Sequence, residues 1–119
     1  MNWTLPSTPE NFYKETLKTN PNHVDAHNNL GIVFKELGEL QKAVDCHQKV
    51  IQIQPDDVYA HYNLGLVFKE LGEFQKAVDC YQKVIQIQPD RVEDAYIGLA
   101  LAFKGLGEYQ KAKSCYEKA

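Results

Sequence analysis

The sequence repeats itself with a period of 34 residues. Residues 24–57 and residues 58–91 differ at only six of their 34 positions, and a shorter third copy runs from residue 93 to residue 119. The third copy is offset by 35 residues, because the turn before it contains one extra residue. Self-similarity at a period of about 20 to 50 residues is typical of solenoids, in which each unit buries its apolar side only against its neighbours. The repeat therefore predicts a stacked array of similar units.

Each unit contains two helical patterns. In the first unit, apolar residues recur at intervals of three and four over 26–37 and again over 40–53, which predicts two amphipathic helices. Gly38 stands where a left-handed residue ends the first helix, and Pro55 stands where a missing amide hydrogen ends the second. Short polar residues precede the first helix of each unit and are expected to cap it: Asn22, Asp56 and Asp90.

With Val24 counted as position 1 of a repeat, the pattern resembles the tetratricopeptide repeat (TPR) family. The Leu-Gly pair of that family at positions 7 and 8 is matched by Leu30-Gly31 and Leu64-Gly65. The aromatic residue at position 11 is matched by Phe34, Phe68 and Phe103, and the small residue at position 20 by Ala43, Ala77 and Ala112. The third copy departs from the family, because Leu99-Ala100 replaces the Leu-Gly pair.

The resemblance implies an all-α fold, a right-handed superhelical solenoid of antiparallel helix pairs. We expect a single domain over residues 1–119. It would comprise a lone N-terminal helix at 9–20, full repeats at 24–57 and 58–91, and a truncated repeat at 93–119.

Charge and composition narrow the range of partners. The net charge is −3, so there is no basic surface that would bind nucleic acid. The longest apolar runs contain only a few residues, far fewer than the roughly 20 that a membrane-spanning helix needs. The N-terminal residues match no secretion signal. Three cysteines, an odd number, favour reduced thiols, so we expect a cytoplasmic protein with no membrane partner.

No catalytic, cofactor or metal motif is present in the sequence. It contains no HExxH, no phosphate-binding loop and no C-x-x-C pair, so we expect a non-enzymatic chain without a cofactor. His23 and His27 are four residues apart, but they lack a thiol or acidic ligand at matching spacing, and a packing role is the preferred interpretation. The cysteines all occupy position 23 of their repeats, which indicates duplicated structural thiols: Cys46, Cys80 and Cys115.

The candidate binding surface follows from the resemblance. In the TPR family, the first helix of each repeat lines a concave groove through positions 2, 5, 6, 9, 12 and 13. The residues expected to contact a peptide are Asn28, Asn29, Ile32, Lys35, Tyr59, Tyr62, Asn63, Leu66 and Lys69. Three of the six differences between the two full repeats fall at groove positions, namely Asp25/Tyr59, Asn28/Tyr62 and Ile32/Leu66. This distribution favours ligand contact over a purely structural role.

Asn29 and Asn63 share position 6. They resemble the asparagine ladder with which the TPR region of O-linked N-acetylglucosamine transferase holds a peptide backbone, and Gly98 interrupts the series. A carboxamide both donates and accepts hydrogen bonds, as a peptide backbone requires.

The sequence thus predicts a protein-interaction module whose partner is a protein or peptide segment. Two alternatives stay open. The chain could be the repeat region of a larger enzyme such as a glycosyltransferase, or a structural scaffold that forms homo-oligomers through its end repeats.

Overall fold

A computed structural model describes residues 8–90 and 92–119, and within these ranges every regular element is an α-helix. The helices are α1 (Pro9–Thr19), α2 (Val24–Glu36), α3 (Leu40–Ile53), α4 (Val58–Glu70), α5 (Phe74–Ile87), α6 (Glu93–Gly105) and α7 (Tyr109–Lys118). The all-α solenoid expected from the sequence is confirmed.

The packing order of the helices separates two faces of the array. Each helix packs against the next one along the chain, and α4 also contacts α2 and α6. Over the described residues, the second helices α3, α5 and α7 do not contact one another. The first helices therefore line one side of an elongated body that measures 62 × 25 × 19 Å. We call the side formed by α2, α4 and α6 the inner face, and the side formed by α1, α3, α5 and α7 the outer face.

A glycine closes the hairpin in every repeat. Gly38, Gly72 and Gly107 have φ values of 79°, 76° and 77°, a conformation that other residues adopt only with strain. In the first repeat the Glu39 N–H donates to the Phe34 carbonyl at 2.8 Å, and the Gly38 N–H donates to the Lys35 carbonyl at 3.0 Å. These two bonds form a Schellman motif, which satisfies the last carbonyls of α2 and turns the chain into α3.

The side-chain caps of α2 and α4 lie one residue later than the sequence analysis placed them. The side chain of Asp57 accepts the Ala60 N–H at 2.9 Å, and Nδ1 of His23 accepts the Ala26 N–H at 3.0 Å. The prediction of caps at Asn22, Asp56 and Asp90 was therefore wrong. The third first-helix, α6, begins after Val92 without a side-chain cap.

Two histidines tie the turns between repeats to the helices that follow them. Nε2 of His27 lies 2.7 Å from the Pro21 carbonyl oxygen, and Nε2 of His61 lies 2.8 Å from the Pro55 carbonyl oxygen. A carbonyl only accepts, so both rings donate from Nε2. The third repeat has Tyr96 at this position, and it is also the repeat whose preceding turn contains the extra residue.

The core runs along the array between the two faces. The alanines at position 20 are buried, and of the phenylalanines at position 11, Phe34 and Phe68 are buried and Phe103 is half-buried. Lysines at position 19 lie over the phenylalanine rings at 5.5 to 5.6 Å from the ring centroids: Lys42 over Phe34, Lys76 over Phe68 and Lys111 over Phe103. Each repeat thus has a small residue in its core, and a lysine lies over its aromatic ring.

Candidate peptide-binding surface

The inner face brings together eight of the nine predicted site residues. Because the first helices contact one another in succession, equivalent positions of α2, α4 and α6 form rows across the repeats. Position 9 gives an apolar row of Ile32, Leu66 and Leu101, and position 12 gives a row of Lys35, Lys69 and Lys104. Position 6 supplies the partly exposed carboxamides of Asn29 and Asn63, with the buried Gly98 in third place.

Lysines recur at three positions of the repeat, namely position 12 on the first helices and positions 19 and 26 on the second helices. At position 26, Lys83 lies 4.0 Å from Asp56, and Lys49 and Lys118 have no ion pair among the described residues. On the outer helices each lysine at position 19 forms an ion pair with a glutamate three residues earlier: Lys42 with Glu39 at 3.6 Å, Lys76 with Glu73 at 3.4 Å and Lys111 with Glu108 at 3.3 Å. The inner lysines at position 12 have no ion pair within the described part of the chain. The inner row is therefore free to meet charges from a ligand.

The acidic neighbours of the inner lysines do not neutralise them directly. Glu36 and Glu70 follow Lys35 and Lys69 in sequence, but adjacent side chains on a helix point in different directions. In the third repeat Gly105 takes the place of the glutamate, so Lys104 has no acidic neighbour at that position. The third repeat instead carries its inner acidic residue, Asp94, at the start of α6.

Asn28 is the predicted site residue that lies elsewhere. It is only 7% exposed, and its Oδ1 accepts a hydrogen bond from Nδ1 of the fully buried His47 at 3.0 Å. Because the carboxamide bonds His47 inside the first repeat, Asn28 is not part of the exposed inner face. Burial, followed by the charge of nearby Lys35, lowers the pKa of His47 from 6.5 to about 4, so the ring is neutral at pH 7.

The second repeat fills the same two positions with aromatic rings. Tyr62 replaces Asn28, Tyr81 replaces His47, and the two rings pack edge to face with centroids 5.9 Å apart. Positions 5 and 24 therefore change together as a contacting pair. The sequence analysis treated the change at position 5 as divergence of the groove. The simultaneous change at position 24 was the available signal that it is partly a packing change.

Tyr59 is the most prominent aromatic side chain on the inner side. It is 70% exposed and stands between two shallow pockets. One of these, of about 190 Å³, is shared with Tyr62 and with Asp94 from the next repeat. Burial, followed by the charge of Asp94, raises the pKa of Tyr62, which keeps its hydroxyl protonated as a hydrogen-bond donor.

The surroundings of the cysteines and histidines indicate structural roles. Burial, assisted by a neighbouring aspartate, raises the pKa of Cys46 to about 11 and that of Cys80 to about 12, so neither thiol is an activated nucleophile at pH 7. His23 and His27 are engaged in a helix cap and a turn. Among residues 8–90 and 92–119, no three His, Cys, Asp or Glu side chains form a cluster suited to a metal ion.

None of the described helices is both long enough and apolar enough to cross a membrane.

Family models assign the repeats. Tetratricopeptide repeat models match residues 12–45, 58–91 and 93–119, and a further TPR repeat model matches residues 33–72. The chain is an array of tetratricopeptide repeats. This agrees with the resemblance drawn from Leu30-Gly31, Phe34 and Ala43 and with their equivalents in the later repeats.

Solved structures of MamA share the architecture of this TPR array. A crystal structure of MamA protein is 31% identical with a TM-score of 0.84, over 89% of this chain and 57% of that chain. A MamA RS-1 double mutant is 27% identical with a TM-score of 0.85, over 92% of this chain and 61% of that chain. This chain therefore spans about three fifths of the length of those proteins.

One curated relative was found by sequence. The uncharacterized protein ycf37 of Pyropia yezoensis is 42% identical over 45 residues, which are 38% of this chain and 25% of that protein.

The TPR repeats support a role in protein interaction, the general use of this fold.

Proposed function

We propose that the chain is a protein-interaction module that holds a peptide segment of a partner along its inner face. The observation that carries the proposal is a row of three inner lysines beside an apolar row. Lys35, Lys69 and Lys104 have no ion-pair partner among the described residues, whereas the position-19 lysines of the outer helices are engaged in ion pairs and contacts to aromatic rings.

The chemistry of the rows defines the ligand. The apolar row of Ile32, Leu66 and Leu101 runs beside the lysine row, so a fitting segment carries apolar side chains along one edge and acidic side chains along the other. Asn29 and Asn63 present carboxamides that can bond both the N–H and the C=O of an extended backbone. Tyr59 adds a rigid, exposed ring of the kind enriched at interaction surfaces.

The size of the surface sets the strength of binding. Three first helices offer only a short groove, so we expect an affinity in the range of about 1 μM to 1 mM, as for small and transient interfaces. Because the free lysines supply part of the attraction, binding weakens as salt concentration rises.

The test is selection of ligands from a peptide library displayed on phage, followed by binding measurements with chain variants. The first variant, Lys35→Glu/Lys69→Glu, reverses the inner row. The matched control, Lys49→Glu/Lys83→Glu, makes the same change in net charge at equivalent positions of the outer helices α3 and α5. The second variant, Asn29→Ala/Asn63→Ala, removes the two carboxamides.

The proposal expects selected peptides rich in acidic and apolar residues. It also expects that their binding falls at least tenfold in both inner-face variants, and that the outer control binds as the parent does. Selected peptides that bind the outer control and the inner variants equally would place the ligand elsewhere and overturn the proposal. Circular dichroism of each variant confirms that the helices are retained.

A further inference from the structure

A small crevice lies between the second and third repeats, where the first helices α4 and α6 begin. It has a volume of about 190 Å³ and is lined by side chains of α4, of α6 and of the end of α5. Sites that hold a whole small molecule usually measure about 300 to 1,000 Å³, so this crevice is sized for a single side chain. All of its walls belong to helices with further helices before and after them in the array, so the stacking of two repeats creates it.

Two tyrosines of α4 line the crevice. Tyr59 is 70% exposed, and Tyr62 is partly buried three residues later on the same helix. Residues three apart share a side of a helix, so both rings border the same space. The edge-to-face contact of Tyr62 with Tyr81, at 5.9 Å between ring centroids, fixes the orientation of the Tyr62 ring. The crevice therefore presents aromatic surface, part of which is held in place before a ligand arrives.

Asp94 of α6 supplies the charge of the crevice. Among the described residues that line the crevice it is the one charged side chain, and it forms no ion pair with a described residue. Lys104, the lysine of the same helix, is ten residues away, about 15 Å along the helix axis. That separation exceeds the screening length of about 8 Å at physiological salt. The carboxylate of Asp94 is therefore available to a cation from a ligand.

The equivalent crevice between the first and second repeats lacks this combination. There Asp25 takes the place of Tyr59, and Tyr59 takes the place of Asp94. The position of Tyr62 is taken by Asn28, which is buried. Two of the six sequence differences between the full repeats, those at positions 2 and 5, thus bring two rings and one carboxylate together at the boundary between the second and third repeats.

We propose that this crevice is a subsite for an arginine side chain of the bound peptide, with the guanidinium stacked on Tyr59 and Tyr62 and paired with Asp94. A guanidinium is planar, so it stacks on aromatic faces and bonds a carboxylate through two N–H groups, which the compact ammonium of lysine does not do. Val84 and Ala95, both buried, also line the crevice and offer apolar surface to the methylene groups of the arginine. As a part of the inner face, the subsite rests on the function proposed above.

The subsite determines how the ligand is oriented across the inner face. Asp94 lies at the start of α6 and Lys104 lies in its last turn, so the two edges of the inner face carry opposite charges in the third repeat. A matching peptide places its arginine at the edge formed by the starts of the first helices. Its acidic side chains lie at the lysine edge, and its apolar side chains lie between the two.

The experiment titrates the intact, isotope-labelled chain with a single-residue probe, N-acetyl-arginine N-methylamide, and follows the backbone amides by NMR. The matched probe is the citrulline analogue, which has nearly the same shape as arginine but no charge. The lysine analogue keeps the charge but lacks the planar group. The chain variants are Asp94→Asn and Tyr59→Ala, and the control Asp25→Asn makes the same change at position 2 of the first repeat.

The proposal expects saturable shifts of the amides around Tyr59, Tyr62 and Asp94 when the arginine probe is added. The citrulline and lysine probes should bind more weakly by about threefold or more, the loss typical of an exposed cation–π contact or ion pair. Asp94→Asn and Tyr59→Ala should weaken binding of the arginine probe by a similar factor, whereas Asp25→Asn binds it as the parent does. The spectra of the free variants show that the fold is retained.

Equal binding of the arginine and citrulline probes would overturn the proposal, as would undiminished binding of the arginine probe by Asp94→Asn. Equal binding of the lysine probe would overturn the assignment to arginine.

The subsite and the proposed function fail separately. If the arginine probe shows no preference while the selected peptides still depend on Lys35 and Lys69, the subsite is wrong and the proposed function stands. If the probe binds as expected while the selected peptides ignore the inner lysines, the proposed function is wrong and the crevice remains a site for arginine.

Discussion

The first and second repeats are nearly identical in sequence, yet they are built around different internal pairs. The first repeat buries Asn28 and His47, joined by a hydrogen bond of 3.0 Å, while the second packs Tyr62 against Tyr81. The polar pair leaves Nε2 of His47 without a partner, and the aromatic pair leaves the Tyr81 hydroxyl without one, within the described residues. Positions 5 and 24 thus hold the two helices of a repeat together through a polar pair in the first repeat and an aromatic pair in the second. We expect the stability of the two repeats to respond differently to substitution and to pH.

The largest difference in unfolding free energy is expected when the tyrosine at position 24 is replaced by alanine in the second and in the third repeat. Tyr81→Ala removes a fully buried ring that contacts Gly65, Gly98 and Tyr62, and should lower the free energy of unfolding by about 3 to 5 kcal/mol. The matched substitution Tyr116→Ala, at a residue 47% exposed, should cost less than about 1 kcal/mol. Urea unfolding followed by circular dichroism measures both. Equal losses would show that Tyr81 does not hold α4 and α6 together.

The next difference is in pH dependence. The pKa of His47 is lowered from 6.5 to about 4 in the folded protein, so below pH 6.5 the unfolded chain binds more protons than the folded one. Stability from this group is therefore complete above pH 6.5 and is lost as pH falls toward 4, by about 3 kcal/mol in total.

The control for the pH effect is Asn28→Tyr/His47→Tyr, which places the second repeat's pair in the first. Its unfolding free energy should fall by about 3 kcal/mol less than that of the parent between pH 7 and pH 4. Both proteins share every other group that titrates between pH 4 and pH 7, because the two added tyrosines titrate near pH 10, so the difference isolates His47. Parallel pH profiles for the two proteins would contradict the assignment.

The same double variant tests whether positions 5 and 24 form a unit. Asn28→Tyr alone and His47→Tyr alone each place a larger ring beside the wrong partner, at a cost of about 1 to 3 kcal/mol. The double variant should cost less than the sum of the two by at least about 1 kcal/mol, which is typical of contacting residues. Unfolding free energies of the four proteins complete the cycle, and additive losses would rule out the coupling.

The smallest expected effect concerns the cap between the two repeats. Asp57→Ala removes the acceptor of the Ala60 N–H and should cost about 1 kcal/mol. Asp56→Ala changes the adjacent, 81% exposed side chain and should stay within about 0.5 kcal/mol of the parent. Thermal unfolding of the two variants compares the observed cap with the residue that the sequence first suggested. A larger loss of stability for Asp56→Ala than for Asp57→Ala would show that Asp56 is the cap.

The candidate site was only partly predictable from the sequence. The rows at positions 6, 9 and 12 followed from the repeat and from the TPR resemblance, since one residue per repeat on a first helix recurs along the inner face. The placement of Asn28 did not follow, because its orientation depends on His47, which lies 19 residues away on another helix. The ion pairs of the lysines at position 19 were also missed, although the sequence carries a signal for them, a glutamate three residues before each lysine.

The sequence by itself determined the features that depend on neighbouring residues. It fixed the number of helices in each repeat, their glycine turns and their order, because spacing of apolar residues and backbone preference act within a few residues. The tertiary structure alone decided that Asn28 is buried against His47 and that Tyr62 packs against Tyr81. These outcomes depend on contacts between helices that are distant in sequence, and the size and polarity of the facing side chain select them.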